Sequence, residues 1–215
     1  YTVTLGSGIK DQYGVSLGGP YSFSFTTAPY SPSISINPSG TYYASFNQDV
    51  IPHIVAQVIN ANKVDYSLFR LTKENFLELY RMRYDRDCGE DNKCRIWQNY
   101  DTGKLEKIRS WSETYDSDQN TPVNVITKVT NESGEKLYSG LYFLDVSING
   151  NIHDNLVMIV SKTTLTIKKS ANQIFVWAVN QSTGETVSDM TIKLLDGTGK
   201  VFTEGKTNSD GVFVK

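Results

Sequence analysis

Apolar and polar side chains alternate with a period of two along almost the whole chain, and this period dictates strands before anything else. In "YSFSFTT", Tyr21, Phe23 and Phe25 fall on one face, and Ser22, Ser24 and Thr26 on the other. That is the pattern of a half-buried strand. "YTVTL" opens the chain the same way, with Tyr1, Val3 and Leu5 opposed to Thr2 and Thr4. Between the two, Asp11, Gly14, Gly18 and Gly19 mark reversals. Pro29 and Pro32 then mark a domain joint. Two strands alone are marginal in water. Residues 1–28 are therefore expected to complete a sandwich whose other strands lie elsewhere.

Residues 33–160 read as a fuller domain. "SISINP", "TYYASF", "IPHIVAQVIN", "KVDYSLFRL", "TPVNVITKVT", "SGLYFLDVSI" and "NLVMIVS" are strand-like. "TKENFLELYRMR" breaks the period. Thr72 can cap it, and Phe76, Leu79, Tyr80 and Arg83 share a helical stripe, so a short helix is expected there. Residues 84–122 read as an irregular insertion. From 162 onward, "TTLTIKKS", "QIFVWAVN", "MTIKLLD" and "KVFTEG" are four evenly spaced strands of a third domain, 162–215. In "TNSDGVF", Asp210 is expected to bond its own backbone and Gly211 to take positive φ. Trp177 lies in a strand apolar on both faces, which predicts a central, buried position. Both ends of the chain interrupt strand patterns, so the expectation is a piece of a longer polypeptide.

Composition agrees with an all-β reading and narrows function. The chain has 215 residues, 39% hydrophobic and 20% charged, enough to pack a core. Thirteen Tyr and nine Phe favour strands. A net charge of -2 lacks the basic footprint of a nucleic-acid binder. No apolar run of about 18 residues is present to span a membrane as a helix.

The third domain resembles the early macroglobulin-type domains of bacterial α2-macroglobulins. The matching residues are Leu165 and Lys168, then Val176, Trp177 and Ala178, then Thr183 to Val187. "LLDGTGK" follows, with Thr207, Asp210 and Gly211. The family usually has Pro where Thr186 stands. "SGLYFLDVSI" and "VDYSLFRLTKENFLELYR" resemble the preceding domain, and residues 1–27 resemble the last strands of a bacterial Ig-like domain. The resemblance implies tandem Ig-like and macroglobulin-type antiparallel β-sandwiches with one short helix in the middle domain. It also implies a place in a protease trap, where cleavage of a bait segment triggers rearrangement and many members capture the protease through a Cys–Gln thioester. The implied partners are neighbouring domains of the same chain and, for the full protein, target proteases. The implied location is extracellular, cell-surface or periplasmic.

Candidate chemistry is sparse. Cys88 and Cys94 are separated by five residues, Gly89 and Asn92 among them. A local disulfide is the better reading, with free thiols the alternative; His53 and His153 lie too far off in sequence to suggest zinc. So short a loop stabilises by only about 2 kcal/mol when closed, and a disulfide places the protein outside the reducing cytosol. Cys88-Gly89-Glu90 matches part of the family's thioester motif, but Asp91 stands where Gln supplies the acyl group. The thioester reading is therefore set aside. Asp85, Asp87, Glu90 and Asp91, and separately Asp116 and Asp118, read as solvated loops rather than calcium sites. His53 and His153 read as surface or satisfied histidines. Trp97 and Trp111 read as packing on the sandwich edge, ahead of a sugar or protein contact. Asn131 and Asn180 fit the glycosylation pattern without implying it in a bacterial protein. No catalytic, cofactor or metal site is expected, and the chain is expected not to be an enzyme. The functional expectation is a structural segment of a bacterial macroglobulin-like inhibitor. Its alternative is an Ig-like module of an adhesin, and a carbohydrate-binding module ranks third.

Overall fold

The computed structural model describes residues 1–37, 43–82, 97 and 100–215. It forms two compact units, Tyr1–Ser31 and Pro32–Lys215. In the first, β1 (Thr2–Leu5) pairs antiparallel with β2 (Tyr21–Ser24). The period of two seen in the sequence divides this hairpin cleanly. Thr2 bonds Ser24 and Thr4 bonds Ser22 on the hydroxyl face, at 2.9 and 2.8 Å. On the other face Tyr1 stacks on Phe25, and Tyr21, Phe23 and Phe25 form a row. The expected half-burial of this row is not found: Phe23 is 43% and Tyr21 57% exposed.

Among its described residues the second unit is all-β apart from one helix and a 3-10 turn at Thr102–Lys104. Its first sandwich packs three strands on five. The three are β3 (Ser33–Asn37), β5 (His53–Ile59) and β8 (Val123–Lys128), in the order β3-β5-β8. The five are β4 (Tyr43–Asn47), β6 (Lys63–Leu71), β7 (Glu106–Thr114), β9 (Gly140–Ile148) and β10 (Ile152–Ser161), in the order β4-β10-β9-β6-β7. All pairs are antiparallel except β4 with β10. Ile54, Ala56 and Val58 of one sheet meet Val64, Tyr66, Leu144 and Val146 of the other in a closed core.

Strand β7 lies within the segment read as irregular. Its register with β6 shifts at Leu68/Phe69, where Arg109 faces Leu68 but Lys107 faces Phe69, leaving Ile108 unpaired. That bulge breaks the alternation that would have announced a strand. The helix α1 (Lys73–Met82) starts where expected. Thr72 Oγ1 accepts from the Asn75 backbone N–H at 3.2 Å, and Asn75 Oδ1 accepts from the Thr72 N–H at 3.1 Å. This is a reciprocal cap closed by Asn rather than Glu or Gln.

A second, smaller sandwich follows. One sheet is β11 (Thr163–Lys169), β12 (Ile174–Asn180) and β15 (Val212–Val214), with β12 central. The other is the hairpin of β13 (Thr191–Leu195) and β14 (Val201–Lys206). Val176, Ile192 and Phe213 form its core. Gly211 has φ +72° and a Cβ there would lie 2.6 Å from the Ala178 carbonyl oxygen, so the β14–β15 turn admits only glycine at this point. The side chain that closes that turn is Asn208, whose Oδ1 accepts from the Asp210 and Val212 N–H groups at 3.0 and 2.9 Å. Asp210 itself does not fill the role expected of it.

Candidate interaction surface at the sandwich junction

The outer face of the five-stranded sheet is divided. Its lower half carries Phe69, Leu71, Phe143 and Val157, and these pack with Leu79 of α1, Trp97 and Tyr100 into a second core. The Trp97 indole N–H donates to the Leu79 carbonyl at 3.0 Å, tying Trp97 to the helix. Glu78 accepts from Lys104 at 2.7 and 2.8 Å and from the Tyr100 hydroxyl at 3.1 Å. The Lys104 hydrogen bond holds the Glu78 carboxyl below its usual range.

The helix so fixed presents its other side to the second sandwich. Arg81 donates from Nε to the Gly197 carbonyl at 2.8 Å and from Nη2 to the Thr198 carbonyl at 2.7 Å. The receiving turn is shaped by Asp196, whose Oδ1 accepts from the N–H groups of Thr198 and Lys200 and from the Thr198 hydroxyl. Gly199 sits at φ +86° against Leu77, where a Cβ would come 2.5 Å from Leu77 Cδ1. The other end of β12 is held too. Gln181 Nε2 donates to Ser45 Oγ at 3.2 Å and to the Ser161 carbonyl at 3.3 Å. Ser182 Oγ donates to Asp49 Oδ2 at 2.9 Å and accepts from Asn47 Nδ2 at 3.0 Å. Between α1 and the second sandwich lies an open groove of about 950 Å³. Phe76, Leu77 and Tyr80 form one wall, and Ile167, Ile174 and Leu194 line the side of the second sandwich.

The upper half of the same sheet face is polar. Asp145 accepts from His153 Nδ1 at 3.2 Å and from Asn155 Nδ2 at 2.5 Å. Burial pushes the Asp145 carboxyl above its usual range, against the opposing pull of His153 and Asn155. Neighbouring hydroxyls pair with one another or with carboxylates: Ser67 with Ser110 at 3.0 Å, Ser112 with Asp65 at 2.5 Å. The His153–Asp145 pair was not read from the sequence, although a signal existed. The turn at Asn149 and Gly150, both at positive φ, sets a register in which Asp145 faces Asn155 and Ser147 faces His153.

The other residues singled out have structural roles. Trp97 is buried, and Trp111 stacks on Tyr66 at 5.0 Å while its N–H donates to Thr127. Burial raises the Tyr66 phenol well above its normal range. His53 bonds the Ile51 carbonyl at an exposed position. Asn131 Oδ1 closes its own turn on the Glu135 N–H, and Asn180 Oδ1 does the same for Ser182 and Thr183. Trp177 overturns its expectation: it is 39% exposed. It lies on the central strand, but on the outer face, away from the β13–β14 hairpin. Cys88, Cys94, Asp85, Asp87, Glu90 and Asp91 lie outside the described residues. Among the described residues no three His, Cys, Asp or Glu side chains converge on a metal-sized site, and no helix is long and apolar enough to cross a membrane.

Neither the family models nor the curated proteins contain a match to this sequence. Solved structures do match. Native alpha-2-macroglobulin from Escherichia coli, in a fragment spanning domains MG0-NIE-MG1, superimposes over 100% of this chain and 66% of its own, with TM-score 0.68 and 15% identity. The E. coli NIE-MG1 fragment matches over 85% of this chain and 86% of its own, at TM-score 0.60 and 13% identity. Salmonella alpha-2-macroglobulin reacted with methylamine matches over 100% of this chain and 12% of its own, at TM-score 0.68 and 14% identity. The chain thus spans just under two thirds of the E. coli three-domain fragment and about an eighth of the Salmonella protein. It has the fold of the MG0-NIE-MG1 region of bacterial alpha-2-macroglobulins.

Proposed function

We propose that this chain is a structural and docking segment of a longer, exported, macroglobulin-like protease inhibitor of bacterial type, and that it is not a catalyst. The observation that carries this reading is the match over the full 215 residues to a three-domain stretch of alpha-2-macroglobulin. The domains are then 1–28, the end of an Ig-like domain; 33–160, a macroglobulin-type sandwich; and 162–215, part of a second one. Their work is to space and orient the rest of the trap. The sequence has no Cys-x-x-Gln, so capture chemistry and the bait segment belong to other parts of the polypeptide. An exported location fits Cys88 and Cys94 as a bonded pair, which intact mass with and without reductant tests.

The functional test is incubation of the intact longer protein with trypsin, followed by hydrolysis of a large protein and of a small peptide. The reading expects the large substrate to be protected and the small one still to be cleaved. Residues 1–215 alone should protect neither. Equal cleavage of both substrates in the presence of the intact protein contradicts an inhibitor. Protection by residues 1–215 alone contradicts a purely structural segment.

A further inference from the structure

The two sandwiches of the second unit are joined at two places, and the joints differ in kind. At one, the chain itself crosses. β10 ends at Ser161 and β11 begins at Thr163, so Lys162 alone lies between them. Backbone groups hold this crossing. The Gln48 N–H donates to the Ser161 carbonyl at 3.1 Å, and the Gln181 N–H to the Lys162 carbonyl at 2.8 Å. The side chains of Gln181 and Ser182 add their bonds to Ser45, Asn47 and Asp49 beside it.

At the other joint only side chains of α1 reach across. Arg81 donates to the Gly197 and Thr198 carbonyls, and Leu77 lies against Gly199. Among the described residues no backbone–backbone hydrogen bond joins α1 to this turn. Each half of the joint is built without the other. Leu79, Trp97 and the Glu78–Lys104 pair fix α1 to the first sandwich. Asp196 closes the turn from within: its carbonyl accepts from the Gly199 N–H at 2.9 Å, and its Oδ1 accepts from the Thr198 and Lys200 N–H groups. Both contact surfaces therefore survive the loss of the contact.

The joints sit at opposite ends of β12. This strand runs seven residues, from Ile174, which lines the groove beside α1, to Asn180, next to the crossing. At about 3.3 Å per residue the two ends are about 20 Å apart. A rotation of about 10° about the crossing would carry the far end by about 3–4 Å, enough to part Arg81 from both carbonyls. We propose that Arg81 and Leu77 form a latch, and that the Ser161–Thr163 crossing with Gln181 and Ser182 is the pivot it works against. The latch sets the angle at which the second sandwich leaves the first. When it is released, the second sandwich swings about the pivot while both sandwiches stay folded.

Residual dipolar couplings on the 215-residue chain test this, because they report the orientation of each sandwich separately. In the parent, couplings from both sandwiches should fit one alignment tensor. In Arg81→Ala they should need two, with the tensor of the second sandwich reduced by averaging. The folded-to-unfolded ratio in urea should change by less than about tenfold, since only hydrogen bonds at an exposed position are lost. Gln181→Ala, at the pivot, should keep the single tensor. If Arg81→Ala loses the helical chemical shifts of α1, Gly199→Ala decides instead: it leaves the helix untouched and drives a Cβ to 2.5 Å from Leu77 Cδ1. It too should need two tensors. One tensor of unchanged orientation in the deciding variant would overturn the proposal. So would two tensors in the parent, or two tensors in Gln181→Ala with Arg81 in place.

Discussion

The two sandwiches of the second unit are built from the same alternating pattern but close to different degrees. Among the described residues the first buries nineteen in its main core, whereas the core cluster of the second has three. The difference does not come from strand quality. β12 is as apolar as β9, and each has a neighbour on both edges. It comes from what lies over each face. β9 turns Tyr142, Leu144 and Val146 toward the three-stranded sheet and Phe143 toward α1, Trp97 and Tyr100. β12 turns Val176 toward a two-stranded hairpin and Trp177 toward solvent. Hydrogen-bond neighbours make a strand central; only a second layer makes it buried.

Mutations should separate the two most sharply at equivalent apolar positions. Phe143 is fully buried, and Phe143→Ala should cost about 3–5 kcal/mol in urea unfolding. Ile167→Ala should stay within about 0.5 kcal/mol in the 215-residue chain, as at other surface sites. Similar losses at both would mean that the interior of the second sandwich is covered. Trp177→Ala gives a finer gauge. With its outer face uncovered, about 1–2 kcal/mol is expected rather than the loss of a core tryptophan. A cost near that of Phe143→Ala would show that the outer face is buried after all.

The smallest effect is electrostatic and sits on the polar half of the first sandwich. Burial raises the Asp145 carboxyl in the folded state. A raised pKa means that its stabilising contribution is complete below the unfolded value, about 3.9. That contribution is lost as pH rises through the folded value. Asp65 runs the other way, because Lys63 and Ser112 hold it low; its contribution is present above about pH 3.9 and lost on acidification. Asp145→Asn should therefore remove a decline in stability that sets in as pH rises above about 3.9. Parallel pH profiles for the variant and the parent would place the ionised carboxylate in a better-solvated site than its burial implies.

These contrasts also explain what could be read from the sequence. Strands β9, β10, β11 and β12 were legible because no bulge interrupts their apolar or alternating runs, and the start of α1 because Thr72 stands before a change of period. Strand β7 was missed because its bulge at Ile108 moves the apolar residues out of phase. The closing side chain of the last turn was misplaced by two positions, since Asn208 and Asp210 have the same bonding capacity and only the backbone path chooses between them. Trp177 was misjudged because local pattern reports which face a side chain takes, not whether another layer lies on that face. The junction was least legible. Arg81 meets Gly197 and Thr198 across more than a hundred residues, and no short-range pattern records that meeting.

Native-state hydrogen exchange on residues 1–215 tests the closed-versus-open contrast most directly. Amides of β6, β9 and β10 should exchange only through global unfolding of the unit, with the slowest rates in the chain. Amides of β11 and β13 should exchange at least about a hundredfold faster, through local opening of a sandwich lacking its cover. Equal protection in both sandwiches would contradict the contrast and show the second to be closed by what residues 1–215 already contain.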